Sequence, residues 1–196
     1  VLGSYIGTTS TFLGSIIGFF FGLFNYPNII SGIVTTFCSG MISKRKRMIA
    51  IPVYLCLFLI FALYPTIGPV WLYPPVLWFQ IIGFIILLSP LQFRATKNID
   101  SPNDSKLLYA FIITALTSSL AGQIAGSLTY EATSLSFIPN VNAYKATWIA
   151  ITFLYPVERI IIAVFSGLIG VSLYSVLKSA NLLSILNQSN KTEKHS

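Results

Sequence analysis

From Ile160 to Leu177 the chain runs eighteen residues without a charged side chain, inside the closing stretch "YPVERIIIAVFSGLIGVSLYSVLK". At about 1.5 Å per residue, such a helix reaches most of the way across the ~30 Å hydrocarbon core of a bilayer and satisfies its backbone hydrogen bonds internally. The same texture recurs along the sequence. Six apolar segments lie at about 3–24, 28–43, 48–65, 74–90, 107–130 and 158–178. The second and fourth are short and call for tilt or a locally thinner bilayer. With 55% of 196 residues hydrophobic and only 9% charged, a water-soluble domain could not hide the apolar surface. The expectation is an all-α, polytopic transmembrane bundle of about six spans in the cell membrane, over residues 1–181, with a polar tail over 182–196.

Charge orients the bundle. Lys and Arg accumulate in cytoplasmic loops, and the densest cluster is Lys44, Arg45, Lys46 and Arg47 between the second and third segments. If that turn is cytoplasmic, alternation places Arg94, Lys97, Lys106, Lys178, Lys191 and Lys194 inside as well. Ten of the twelve basic residues then share one side, and only Lys145 and Arg159 do not. Both termini are expected in the cytoplasm. Asn-x-Ser/Thr triplets at Asn103, Asn187 and Asn190 would matter only on an outward surface, and the charge pattern outweighs them. Val1 leads straight into apolar sequence with no basic leader region, which is unlike a secretory signal. Since synthesis starts with Met, this end is expected to be processed or incomplete.

Little in the chain suggests bond chemistry. Cys38 and Cys56 sit in apolar runs without CxxC spacing and read as buried thiols acting as small hydrophobes. His195 is the single histidine and lies in the tail, so haem, copper or zinc ligation by this chain alone is disfavoured. No nucleophile pairs with a base. The expectation is a protein without catalytic activity, cofactor, metal site or nucleic-acid partner.

Small residues stripe several segments. The first has glycines at 3, 7, 14, 18 and 22, and "GSIIGFFFG" holds two overlapping GxxxG units, so Gly14, Gly18 and Gly22 are candidate contacts for another helix. Shorter stripes occur at Gly32, Thr36 and Gly40, at Ser118, Gly122 and Gly126, and at Ala163 and Gly167. Internal bundle packing explains any one of these. The length of the first also suits a partner protein.

Candidate binding residues gather where the charge count puts the outer face. Trp71, Tyr73 and Trp78 belong to "PVWLYPPVLWFQ", in which Pro74 and Pro75 suit a helix start. An interfacial aromatic belt accounts for Trp78, whereas Trp71 and Tyr73 could wall a pocket. "YEATSLSFIPNVNAYKATWIAITFLYP" reads as a long outer loop ending in a separate helix or re-entrant piece over 146–155, broken at Pro156. That places Glu158 and Arg159 at the outer start of the last span. Neighbours on a helix point about 100° apart, so each is expected to find a partner other than the other. Gln80 and Gln123 are the amides well inside, assigned to interhelical hydrogen bonds. Residues 94–106 read as a flexible linker, and "SANLLSILN" as an interfacial helix.

"GSIIGFFFGLFNYPNIISGIVTTFCSGMISKRKR" is a Gly-repeating helix, a Pro-containing turn and a small-residue helix ending in a basic cluster. With the closing "YPVERIIIAVFSGLIGVSLYSVLK", it resembles the substrate-binding S components of energy-coupling factor (ECF) transporters. The family's alanine-x-x-x-alanine contact on its first helix has no match there; Ala121 and Ala125 lie in the fifth segment. The resemblance implies a six-helix binding subunit that captures a vitamin-like small molecule or a metal ion from outside. Such a subunit docks on a transmembrane coupling subunit driven by two cytoplasmic ATPases. Trp71, Tyr73, Tyr130, Glu131, Tyr155, Glu158 and Arg159 would line its site, aromatics giving stacking area and charges orientation. The alternative is an accessory subunit of a larger membrane assembly, such as a respiratory or oxidase complex, with no substrate site. A self-contained secondary transporter ranks third, for want of inverted repeats and of a charge deep in any span.

Overall fold

A computed structural model describes residues 4–99, 101–134 and 140–180. Its elements are α1 (Ser4–Phe20), α2 (Tyr26–Ser43), α3 (Arg47–Ala62), α4 (Pro69–Leu72), a 3-10 turn (Pro74–Leu77), α5 (Trp78–Leu88), α6 (Pro90–Asn98), α7 (Asp104–Ser134) and α8 (Val141–Ser179). All regular structure among the described residues is helical. Among the described residues two helices, α7 and α8, are long and apolar enough to cross a membrane. The segments Pro74–Leu88 and Pro90–Asn98 meet at a 62° bend and make a third if counted as one broken span.

The bundle is built around α7, which packs against α2, α3, α5, α6 and α8. Every residue from Thr117 to Ser127 is buried, so α7 has no solvent- or lipid-facing stripe over that length. Small side chains make this possible. A Cβ on Gly122 would stand 2.5 Å from the Ser31 carbonyl oxygen and would collide with the Thr35 hydroxyl, and one on Gly126 would stand 3.2 Å from the Pro27 carbonyl oxygen. Backbone meets backbone where α2 crosses α7. On the far side, Ile112 packs into the space that Gly167 leaves on α8.

Helix ends explain the turns. The Gly22 N–H donates to Phe19 O (2.9 Å) and the Leu23 N–H to Gly18 O (2.8 Å), with Gly22 at φ +71°, a left-handed helix stop. The same motif closes α2, where the Arg45 N–H donates to Ile42 O and the Lys46 N–H to Met41 O. There the left-handed position, φ +61°, is held by Arg45 rather than glycine. Pro74 and Pro75 open the 3-10 turn, as proline at a first turn predicts.

Most of the described basic residues collect at one end. Arg47 and Lys97 both lie over the Phe93 ring, 5.4 Å and 4.6 Å from its centroid. Asp104 and Lys178 border one cleft with Ser101 and Tyr174, so the start of α7 and the end of α8 meet there. Lys145 and Arg159 sit in the first half of α8, toward the opposite end.

Several sequence expectations change. The region read as a long outer loop is mostly helix: α7 continues to Ser134 and α8 begins at Val141, with Asn140 accepting the Asn142 N–H (2.9 Å). Its Thr and Ser residues resemble loop composition, but their hydroxyls donate to carbonyls four residues back, as Thr133 does to Thr129 (2.7 Å) and Thr147 to Ala143 (2.9 Å). No break separates 146–155 from the last span, because α8 runs through Pro156. Residues 94–98 of the presumed linker belong instead to α6, which folds back to bury Gln92, Ala95 and Thr96 against α7. Cys38 is buried as expected, whereas Cys56 lies on the exposed side of α3. The "SANLLSILN" stretch and the tail lie almost wholly outside the described residues.

Candidate functional site

At the end of the bundle opposite the Lys44–Arg47 turn, α2, α7 and α8 line an open cavity of about 300 Å³. From α2 come the capping Asn25, the first-turn residues Pro27 and Asn28, and Ser31 in the next turn; from α7 come Gln123, Ser127 and Tyr130; from α8 come Trp148, Tyr155 and Arg159. The local sequence dictates each contribution. Asn25 is the N-cap of α2 and accepts the Asn28 N–H (3.1 Å), which aims the positive end of that helix's dipole toward the cavity. Gly126 lets α2 come close enough for Ser31 to share a wall with Gln123. Trp148 is fixed by the donation of its indole N–H to Ile67 O (3.0 Å) and by the edge of Phe61 (5.6 Å between centroids).

The polar groups of the site are incompletely used. Gln123 is only 4% exposed, and neither its amide oxygen nor its nitrogen has a hydrogen-bond partner. Such a group costs about 1–3 kcal/mol on protein mutational scales. The assignment of Gln123 to an interhelical hydrogen bond is thus corrected. Gln80 also makes none through its side chain, whose amide turns back onto Val76 O (2.7 Å). The amide that does link helices is Gln92, bonded to Thr114 (3.3 Å) and Thr117 (3.0 Å).

Arg159 donates from Nη2 to Glu158 Oε1 at 3.2 Å, while its Nε is buried and without a partner. Sequence reasoning held these neighbours to be poor partners. The long Arg side chain closes the angular gap between consecutive positions, and with Arg159 16% exposed and Glu158 44% exposed the pair straddles the rim. None of the described residues lining the cavity is acidic.

Of the residues singled out from sequence, the structure brings Tyr130, Tyr155 and Arg159 together in the cavity, with Glu158 at its edge. Glu131 is fully buried beside them in sequence but does not line the space, and its two carboxylate oxygens have no hydrogen-bond partner. Trp71 is 61% exposed on α4, and Tyr73 packs against the hydrophobic core; neither reaches the cavity. The glycines of α1 do not form one contact face. Gly18 is covered by the chain's own Phe24, Gly22 ends the helix, and a Cβ on Gly14 would meet nothing within 4 Å. The α1–α2 contact runs instead through Gly7 against Thr36 and Gly32 against Thr11, with a 2.9 Å hydrogen bond between the two threonine hydroxyls.

No protein-family model, curated protein or solved structure matches the chain. The cavity is therefore the guide to function. Its Asn25, Asn28, Ser31, Gln123 and Trp148 were not selected from sequence as site residues. Two signals could have found them: an Asn-x-Pro-Asn helix start and a lone amide deep in an apolar helix, both toward the end that carries Arg159.

Proposed function

We propose that this protein is a non-catalytic, solute-binding subunit of a membrane importer, in keeping with its resemblance to the S components of ECF transporters. In this reading α1, α2, α3, α5 with α6, α7 and α8 are six passes. The Lys44–Arg47 turn and both termini face the cytoplasm, and the cavity faces outside. The gathering of the described basic residues at one end and of the cavity at the other supports that orientation.

The observation that carries the proposal is Gln123, a buried amide with both atoms unpartnered, set in a polar cavity beside Arg159. A subunit that served only to pack would gain stability from an apolar residue there. A binding subunit needs the unsatisfied amide, because the ligand completes it. The outward apolar faces of α1 and α8 would meet lipid and the coupling subunit.

Native purification followed by mass spectrometry of co-purifying subunits and small molecules tests this. Recovery with a transmembrane coupling subunit and two ATPases, together with a small molecule lost in Gln123→Leu, is the expected result. Recovery within another assembly, with no small molecule, would assign the chain to a structural role.

A further inference from the structure

The chemistry of the cavity narrows its ligand, given the binding role proposed above. Two features share one sign. Arg159 is the only charged residue among the described lining side chains, and its buried Nε is left without an acceptor. The start of α2, at Asn25 and Pro27, turns a positive dipole end toward the same space. Among the described residues the carboxylate that meets Arg159 is that of Glu158, at the rim. Beside this electropositive corner stand three ring systems, Tyr130, Trp148 and Tyr155, with the Tyr130 and Trp148 rings 6.4 Å apart in an edge-to-face arrangement. Gln123 adds one free donor and one free acceptor.

We infer that the cavity takes a small organic monoanion with a planar ring, whose carboxylate displaces Glu158 from Arg159 while the ring lies among Tyr130, Trp148 and Tyr155. Glu158 then acts as a stand-in. In the empty protein it neutralises Arg159 from the rim, where water can reach it; on binding it is released to solvent and the guanidinium gains a forked acceptor. The volume of about 300 Å³ sits at the low end for small-molecule sites, which fits a single ring with a short acid arm. A cation would meet Arg159 without compensation. A neutral molecule would leave the Arg159–Glu158 pair in place and gain only stacking and the Gln123 bonds.

A charge series of one shape tests this: benzoate, benzamide and benzamidine, titrated calorimetrically into the purified full-length protein in lipid nanodiscs. Benzoate is expected to bind at least about tenfold more tightly than benzamide, and benzamidine not at all, tenfold being ~1.4 kcal/mol. Arg159→Gln should erase the preference, and Arg159→Lys should restore part of it. Glu158→Gln should tighten benzoate severalfold, because the internal competitor is gone; a rim residue of purely structural importance would not do so. Thermal unfolding of each variant reports whether it is folded. Equal binding of all three probes, binding of none, or weaker benzoate binding in folded Glu158→Gln would each overturn the anion assignment. If native purification nonetheless yields a neutral or cationic molecule that Gln123→Leu releases, the binding role stands and only the sign of the ligand is wrong.

Discussion

The indole N–H of Trp78 donates to the backbone carbonyl of Thr152 across 3.1 Å, and Thr152 is the residue whose helical donor Pro156 removes. Proline has no N–H to offer the carbonyl four residues back, and its ring ordinarily bends the helix there. A side chain from the start of α5 makes good the deficit, so α8 passes unbroken from Val141 to Ser179. This bond also ties α5 to the α8 wall that presents Trp148, Tyr155 and Arg159 to the cavity.

Trp78→Phe keeps the aromatic bulk but leaves the Thr152 carbonyl unpaired, at an expected cost of about 1–3 kcal/mol. Pro156→Ala supplies the missing helical N–H and should offset much of that loss. A double-mutant cycle read by thermal unfolding in detergent should therefore show clear non-additivity. Additive effects would mean that the Trp78 bond does not substitute for the helical one.

Gly122→Ala should destabilise the protein by about 1–3 kcal/mol, because the Ser31 backbone carbonyl 2.5 Å from the new methyl cannot rotate away. Gly14→Ala, with open space around it, should be neutral or slightly stabilising through helix propensity, by up to about 1 kcal/mol. Denaturation curves for the two variants separate the glycines that join helices from those that merely share their spacing.

Gln123→Leu should raise the unfolding temperature of the empty protein, since removing an unsatisfied buried amide recovers about 1–3 kcal/mol. The same variant should lose the small molecule that wild type retains. Higher stability with weaker binding identifies a functional group rather than a packing one; a loss of stability would show that Gln123 has a structural partner.

Arg45 occupies a left-handed position at φ +61°, where a Cβ costs about 1–2 kcal/mol. Arg45→Gly should relieve that strain and raise stability by up to the same amount, read as a shift in the thermal midpoint.

Orientation is tested by cysteine labelling in intact cells with a membrane-impermeant maleimide, on a background with Cys38 and Cys56 replaced by serine or alanine. Lys145→Cys should label and Arg45→Cys should not until the membrane is opened. The reverse pattern would turn the cavity toward the cytoplasm and remove the importer reading.

Apolar runs and prolines made the helices legible in the sequence, and Tyr130, Tyr155 and Arg159 were legible as polar or aromatic residues at the right end. The rest was hidden by pairwise geometry. Glu131 looks like a loop acid until α7 is seen to carry it into the interior, and Trp71 looks like a pocket wall until α4 turns it outward. Gln123 resembles any amide that bonds across helices; only the placement of its neighbours shows that nothing meets it. Gln92 lay at the edge of an apparent linker, and the 62° bend that buries it has no signature beyond Ser89-Pro90.

The unbroken burial of α7 from Thr117 to Ser127 bears on how the protein is made. That stretch carries Thr117, Ser118, Ser119, Gln123 and Ser127, polar groups that lipid tails cannot accommodate comfortably, and it is shielded only once α2 and α8 embrace it. During synthesis α8 emerges after α7, so a nascent chain halted between the two would leave the axis of the molecule half clothed and dependent on the insertion machinery until α8 arrives.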